Sequence, residues 1–160
     1  MNVSTDWKVL VVLIATFLAI QLPFLDTAFR IDEPNIIRIG QRAEIAPADP
    51  YSFRINWVGR DEDAFDVLAN PPGIPLWLAT AGRWFGWSEM SLHAAMLPFA
   101  GLALLGMWIL AGELGADRRL AVMLLAVSPA FLLGSQVVMP DVAMLAMTML
   151  AIGLALRYRR

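Results

Sequence analysis

Four long apolar runs constrain the fold of this chain more than any other feature of its sequence. They cover residues 9–25, 92–111, 120–138 and 142–156. At 1.5 Å per residue, a helix of about 20 residues crosses the roughly 30 Å hydrocarbon core of a bilayer. With 59% hydrophobic and 16% charged residues among 160, the chain is too apolar for an ordinary water-soluble domain. The sequence therefore predicts an all-α membrane protein.

The first apolar run follows an interfacial pair of residues. Trp7 and Lys8 precede it, and such a pair is typical of the boundary between lipid and water. A cleaved signal peptide is the alternative, but no small-x-small cleavage motif follows the run. We therefore predict four transmembrane helices, at about residues 7–25, 90–112, 120–138 and 142–157.

A large polar loop, residues 26–89, separates the first two predicted spans. Residues 26–72 include nine Asp or Glu and five Arg, and residues 60–63 are predicted to form a charged turn. Apolar positions fall on one face of a helix at about 33–45. Residues 73–86 are apolar but reach only about 21 Å as a helix. We expect these two segments to be juxtamembrane helices.

The arginine clusters decide which side of the membrane each segment faces. If 73–86 does not cross, Lys8, Arg118, Arg119 and the arginines of 157–160 share one side. The positive-inside rule assigns that side to the cytoplasm. If the segment does cross, both arginine clusters fall outside. The first arrangement is preferred, and it predicts an inner-membrane protein with both termini in the cytoplasm and the loop outside.

The rarest residue types exclude several kinds of site. The chain has no cysteine and one histidine, His93, so disulfides and thiolate metal sites are excluded. We expect His93 to be an interfacial or hydrogen-bonded residue and not a ligand. No metal ligand or cofactor is predicted, and dependence on a divalent metal stays open. No basic tail indicates a nucleic-acid partner.

Three carboxylates near the predicted outer surface are the candidate catalytic residues: Asp32, Glu33 and Asp141. A partly desolvated carboxylate has a raised pKa unless a cation pairs with it, and it can then act as a general base toward a hydroxyl. Adjacent helical residues point about 100 degrees apart. One of Asp32 and Glu33 would therefore be the base, while the other would hold a cation, a donor or the fold.

Helix capping is the alternative interpretation of two of these carboxylates. Asp32 lies two residues before Pro34, which suits an N-cap followed by proline in the first turn. Asp141 follows Pro140 and begins a predicted helix. A cap needs no catalysis to explain it, so both interpretations stay open at this point.

Arginines of the loop are candidates for binding a phosphate, because guanidinium grips phosphate oxygens in a bidentate way. The spacing of the five loop arginines selects none of them. Of the five we name Arg54 and Arg60, together with Asn70, as candidate substrate-binding residues.

The order of the motifs resembles that of a known enzyme family. A first membrane helix is followed by Asp32-Glu33, then by Asn70-Pro71-Pro72, then by the segment 86–92 (Gly-Trp-Ser-Glu-Met-Ser-Leu), and after two helices by Pro140-Asp141. This order is similar to the amino-terminal region of the GT-C glycosyltransferases. Within them it most resembles the protein O-mannosyltransferase-like group, which includes the lipid A aminoarabinose and galacturonic acid transferases.

The resemblance implies a polytopic enzyme that moves a sugar from a polyprenyl-phosphate carrier to an extracytoplasmic acceptor. It implies that Asp32 is the base toward the acceptor hydroxyl, that Glu33 is its neighbour in the acidic pair, and that Asp141 faces the same cavity. At the position of Asn70 the family often has His, and unlike His the Asn side chain cannot titrate. At the position of His93 the family commonly has a basic Arg.

The hypothesis from the sequence is thus the amino-terminal transmembrane module of a glycosyltransferase. The bilayer, a polyprenyl-phosphate-linked sugar, and further helices or a subunit would be its partners. We expect these 160 residues to be inactive in isolation, because four helices are too few to complete a groove for a lipid donor. The alternative is a non-catalytic four-helix membrane protein, either a partner subunit or a truncated remnant. A transporter fragment is weaker, since no ionisable residue sits in mid-helix.

Overall fold

The computed structural model describes residues 3–30, 32–57, 59–68 and 70–159. These residues are mostly helical. The helices are α1 (Val3–Gln21), α2 (Glu33–Ile45), α3 (Ala64–Val67), α4 (Gly73–Phe85), α5 (Glu89–Glu113), α6 (Arg118–Val127), α7 (Pro129–Gly134) and α8 (Asp141–Tyr158). A 3-10 turn, Leu22–Phe24, extends α1, and the strands β1 (Arg54–Asn56) and β2 (Asp61–Asp63) form a hairpin.

Three helices in the described part of the chain are long and apolar enough to cross a membrane. They cover Asp6–Phe24, Glu89–Glu113 and Asp141–Tyr158. Each agrees with a predicted span. The position of α2 and α4 along a membrane surface stays a prediction.

Helices α5 and α8 pack side by side and run parallel. A Cβ added to Gly106 would lie 3.0 Å from the Met149 Cβ, and one added to Gly153 would lie 3.0 Å from the Ile109 Cγ2. The contact between Ile109 and Gly153 therefore lies further along both helices than the contact between Gly106 and Met149, so the two helices run in the same direction. Glycine at these positions lets the two backbones approach closely.

Helix α1 runs antiparallel to this pair. At its start, the Asp6 carboxylate accepts from Arg119 at 2.7 Å. After its end, the Leu25 carbonyl accepts from His93 near the start of α5. We call the end where α1 begins and α5 and α8 end the basic end, because Lys8, Arg118, Arg119, Arg157 and Arg159 lie there. The opposite end is called the loop end.

The prediction of a single helix over 120–138 is wrong, because the helix is interrupted at Ser128. Ser128 is extended (φ −62°, ψ 125°), α6 ends before it, and α7 begins with Pro129. Proline disfavours a helical conformation in the residue before it and has no N–H to donate. The described turns after Gly134 then lead to α8.

The hairpin corrects two further expectations, an entirely helical fold and a charged turn at 60–63. Arg54 pairs with Asp63 and Asn56 with Asp61 across the strands. The Arg54 guanidinium binds both the Asp61 and the Asp63 carboxylates, at 2.6 and 3.0 Å, while Ile55 between them is buried. Cross-strand charge pairing and one buried apolar side chain thus turn a charged segment into a strand.

Two apolar cores hold these elements together. One lies at the loop end and joins α2, α4, the start of α5 and Val138. The other lies within the bundle of α1, α5, α6, α7 and α8, where the Phe17 and Phe131 rings are 5.0 Å apart. The loop-end core fixes the start of α2, where the candidate carboxylates Asp32 and Glu33 lie.

Candidate functional site

Glu33 is the centre of the polar contacts at the loop end. It is the first residue of α2 and only 2% exposed. Its Oε1 accepts from the Val138 backbone N–H at 2.5 Å and lies 3.4 Å from His93 Nε2. Its Oε2 accepts from the Arg30 backbone N–H. One carboxylate therefore ties together the segment after α1, the start of α2, α5 and the segment before α8.

His93 completes this anchor from α5. It is 2% exposed, and its Nδ1 donates to the Leu25 carbonyl oxygen at 2.9 Å. The ring centroid of Phe29 lies 5.6 Å from that of His93. Because both ring nitrogens face acceptors, the contacts suit a doubly protonated imidazolium beside an ionised Glu33. The expectation that His93 is a hydrogen-bonded residue is confirmed.

The pKa of Glu33 lies below its ordinary value. Burial, the largest single influence, raises the pKa, but the hydrogen bond from His93 and those from the Arg30 and Val138 backbone N–H groups together outweigh it. A carboxylate whose ionised form is stabilised by several donors is a weak base. Of the two interpretations of the acidic pair, Glu33 therefore fits the residue that holds the fold.

Asp32 differs from its neighbour, since its side chain is exposed. It occupies the N-cap position of α2 with φ −99° and ψ −16°, but its carboxylate makes no capping hydrogen bond. Its carbonyl oxygen accepts from the Asn35 N–H at 3.1 Å. The predicted cap is thus correct in position, while the carboxylate itself is not used by the cap.

Asp141 also lies at the loop end and is exposed. It is the first residue of α8, and the N-cap position belongs to Pro140 (φ −71°, ψ −13°). The interpretation of Asp141 as the cap is therefore wrong by one residue, because Pro140 already has near-helical angles. Asp141 follows Val138, the backbone partner of Glu33, by three residues. The structure thus places Asp32, Glu33 and Asp141 at one end of the bundle.

The predicted substrate-binding residues lie in or beside the hairpin. The Arg54 guanidinium is engaged by Asp61 and Asp63, so it would have to release these carboxylates before binding a phosphate. Arg60 is exposed and Asn70 is half-buried, and the Asn70 carbonyl oxygen accepts from the Tyr51 hydroxyl. Among the described residues, no hydrogen bond or ion pair joins these three residues to Glu33 or His93.

The pairing of Glu33 with His93 was missed in the sequence. The two residues are 60 positions apart, and no periodicity or spacing connects a residue at one helix start with a residue in another helix. The lone histidine of an apolar segment was the one available signal. In the part of the chain that the structure describes, no group of three or more His, Asp or Glu side chains could hold a metal ion.

Comparison of the chain with protein-family models, with curated proteins and with solved structures finds no match. The site geometry and the order of the sequence motifs are therefore the grounds on which a function can be proposed.

Proposed function

We propose that this chain is a membrane module of a glycosyltransferase that takes its sugar from a polyprenyl-phosphate carrier, with Asp32 as the general base. The observation that carries the proposal is the contrast within the acidic pair. Glu33 is buried and anchored by three donors, while the adjacent Asp32 carboxylate is exposed and makes no capping bond. The anchored Glu33 fixes the backbone position from which the exposed Asp32 carboxylate would reach the acceptor hydroxyl.

The reaction proposed is an in-line displacement at the anomeric carbon of the donor sugar. Asp32 accepts the proton of the acceptor hydroxyl as its oxygen bonds to that carbon. The bond between the anomeric carbon and the phosphate oxygen breaks, and polyprenyl phosphate leaves with the electron pair. Asp141 would shape the same site from the start of α8, and Asn70, Arg54 and Arg60 stay candidates for binding the donor.

Four membrane crossings are proposed, although only three described helices are long and apolar enough. Because α5 and α8 are parallel, the chain between them must return from the basic end to the loop end. Helices α6 and α7 supply about 24 Å of helical rise for that return. The break at Ser128 is then a kink within the crossing.

The orientation proposed follows from the charges at the two ends. The basic end carries Lys8 and the arginines of α6 and α8, which the positive-inside rule assigns to the cytoplasm. Both termini would then be cytoplasmic and the loop end extracytoplasmic, as in an inner-membrane transferase. Trp84 and Phe85, largely exposed at the end of α4, support a position of α4 in the outer interface.

The test is transfer of radiolabelled sugar from a polyprenyl-phosphate donor in proteoliposomes that hold the chain with its native membrane partners. We expect Asp32→Asn to lower the rate by about 100-fold or more, the usual contribution of a general base. Asp26→Asn, an exposed carboxylate of the same loop, is the matched control and should leave the rate unchanged. Equal rates for wild type and Asp32→Asn would refute the assignment.

The second candidate function is a non-catalytic membrane subunit. One observation favours it, since the Glu33–His93 contact joins four segments and so explains its own burial without catalysis. Affinity purification from membranes separates the two hypotheses. A co-purifying polypeptide that supplies further helices and binds polyprenyl-phosphate sugar supports the transferase. A lone stable chain that binds no such lipid supports the alternative.

A further inference from the structure

A cavity of about 750 Å³ opens at the basic end, opposite the candidate catalytic residues. Three segments line it: the start of α1, the last turns of α5, and the turn leading into α6. The lining side chains that matter here are Asp6, Trp108, Asp117, Arg118 and Arg119. Two guanidinium groups therefore meet in one concave site.

Arg118 is held in this cavity by α5. Its guanidinium carbon lies 5.9 Å from the centre of the Trp108 ring, and Trp108 itself is buried. A Cβ added to Gly112 would lie 2.2–2.4 Å from three guanidinium atoms of Arg118. Glycine at 112 thus leaves the space that the guanidinium fills beside the aromatic ring. The arrangement places a planar five-donor group beside an aromatic ring at the wall of the cavity.

The charges in the cavity are not equivalent. Arg119 donates to the Asp6 carboxylate at 2.7 Å. Asp117 Oδ1 accepts from the backbone N–H groups of Arg119 and Leu120, at 2.9 and 3.0 Å. None of the ion pairs found among the described residues includes Arg118. Arg118 is therefore the cation of this cavity whose charge is still available to a ligand.

The surroundings of the cavity are apolar. Leu114, 67% exposed, precedes the lining residue Gly115, and Leu120, also exposed, follows Arg119. Trp7 is exposed next to Asp6. Exposed leucine and tryptophan beside basic residues are typical of the level at which lipid headgroups meet acyl chains. A lipid fits this environment better than a free solute.

We propose that the cavity binds the phosphate of an anionic phospholipid, with Arg118 as the anion-binding residue and the exposed leucines against its acyl chains. The proposal rests on the membrane placement given above, but not on glycosyl transfer. Guanidinium binds phosphate oxygens in a bidentate way, and the anionic lipids of the cytoplasmic leaflet favour basic residues at that surface.

The test is retention of phosphatidylglycerol by the purified full chain, measured by native mass spectrometry after exchange from vesicles of mixed phosphatidylglycerol and phosphatidylcholine. We expect Arg118→Gln to reduce the retained phosphatidylglycerol about tenfold, since a charge-assisted contact exceeds a diffuse surface attraction. Arg157→Gln removes the same charge from the same end outside the cavity. It should retain the lipid like wild type.

Three results would overturn the proposal. One is an equal loss in both variants, which would mean diffuse attraction to the basic end. Another is equal retention of the two lipids by wild type. The third is displacement of phosphatidylglycerol by inorganic phosphate, which would mean a soluble anion as the ligand.

Two further variants keep the test informative. If Arg118→Gln does not fold, Arg118→Lys can replace it. Lysine keeps the positive charge but cannot bind a phosphate in a bidentate way, so this variant should still retain less phosphatidylglycerol than wild type. Asp32→Asn should retain the lipid fully, whatever its effect on sugar transfer. The failure of this proposal is therefore distinguishable from failure of the proposed function.

Discussion

The two ends of the helix bundle use charge in opposite ways. At the loop end, Glu33 and His93 are both 2% exposed and tie four segments together. At the basic end, Arg119 and Asp6 form their ion pair with side chains that are 49% and 17% exposed. A buried pair is costly to break, whereas an exposed pair contributes little. Charge at the loop end therefore contributes more to holding the fold than charge at the basic end does.

Two glycines repeat the same contrast. A Cβ at Gly82 would lie 2.3 Å from the Trp87 indole, which is also held by a 3.1 Å hydrogen bond to Glu44. A Cβ at Gly112 would lie equally close to Arg118, but to the tip of a flexible exposed side chain. An added methyl group would thus collide with the held Trp87 ring at Gly82, but with the movable guanidinium of Arg118 at Gly112.

The largest expected effect is that of Glu33→Ala. It leaves the Arg30 and Val138 N–H groups and His93 without their buried acceptor, so we expect a loss of about 3–5 kcal/mol in the free energy of unfolding. Denaturant unfolding of the chain in detergent micelles measures it. Asp32→Asn is the control and should change stability by less than about 0.5 kcal/mol. Similar losses of stability for the two variants would contradict the role of Glu33 as the buried acceptor that ties these segments together.

The next effect compares the two glycines. Gly82→Ala should cost about 1–3 kcal/mol, because the Trp87 ring or the α4 backbone must move. Gly112→Ala should stay within about 0.5 kcal/mol, because Arg118 can swing aside. Thermal unfolding of both variants in the same detergent gives the comparison. Equal costs would show that Arg118 is as firmly fixed as Trp87.

A smaller effect is the pH dependence that Glu33 gives to stability. Its pKa in the folded chain lies below the ordinary value of 4.5. Its contribution is therefore fully present above that value and is lost as the pH falls through the folded pKa. Unfolding of wild type and Glu33→Gln from neutral pH downward should show a steeper acid loss for wild type. Parallel curves would contradict the lowered pKa.

The smallest effect belongs to the basic end. Asp6→Asn removes the partly exposed ion pair with Arg119, and we expect a loss of about 0.2–1 kcal/mol at low ionic strength. The loss should vanish at high salt, because exposed pairs are screened. Unfolding at two salt concentrations checks this. A loss that persists in high salt would mean that the basic end is as well anchored as the loop end.

The helical elements could largely be predicted because their signals are local. Apolar runs of bilayer length gave the three long helices, and the Asp32–Pro34 pattern gave the start of α2. The sequence did not predict the helix break at Ser128, because a proline by itself does not decide the outcome. Pro98 is accommodated inside α5, whereas α6 ends just before Ser128 and Pro129. The hairpin was missed, because its pairing depends on Arg54 contacting carboxylates seven and nine residues away.

The sequence by itself determined the apolar helices, the separation of the arginine clusters from the large polar loop, and the adjacent carboxylates Asp32 and Glu33. These follow from composition and period, which are properties of short stretches. Only the tertiary structure decided that Glu33 is buried against His93 and Val138 while Asp32 stays exposed. The reason is physical, since burial and hydrogen bonding depend on which distant segments meet. Two neighbouring carboxylates of the same chemistry therefore acquire different surroundings, one buried and hydrogen-bonded and the other exposed.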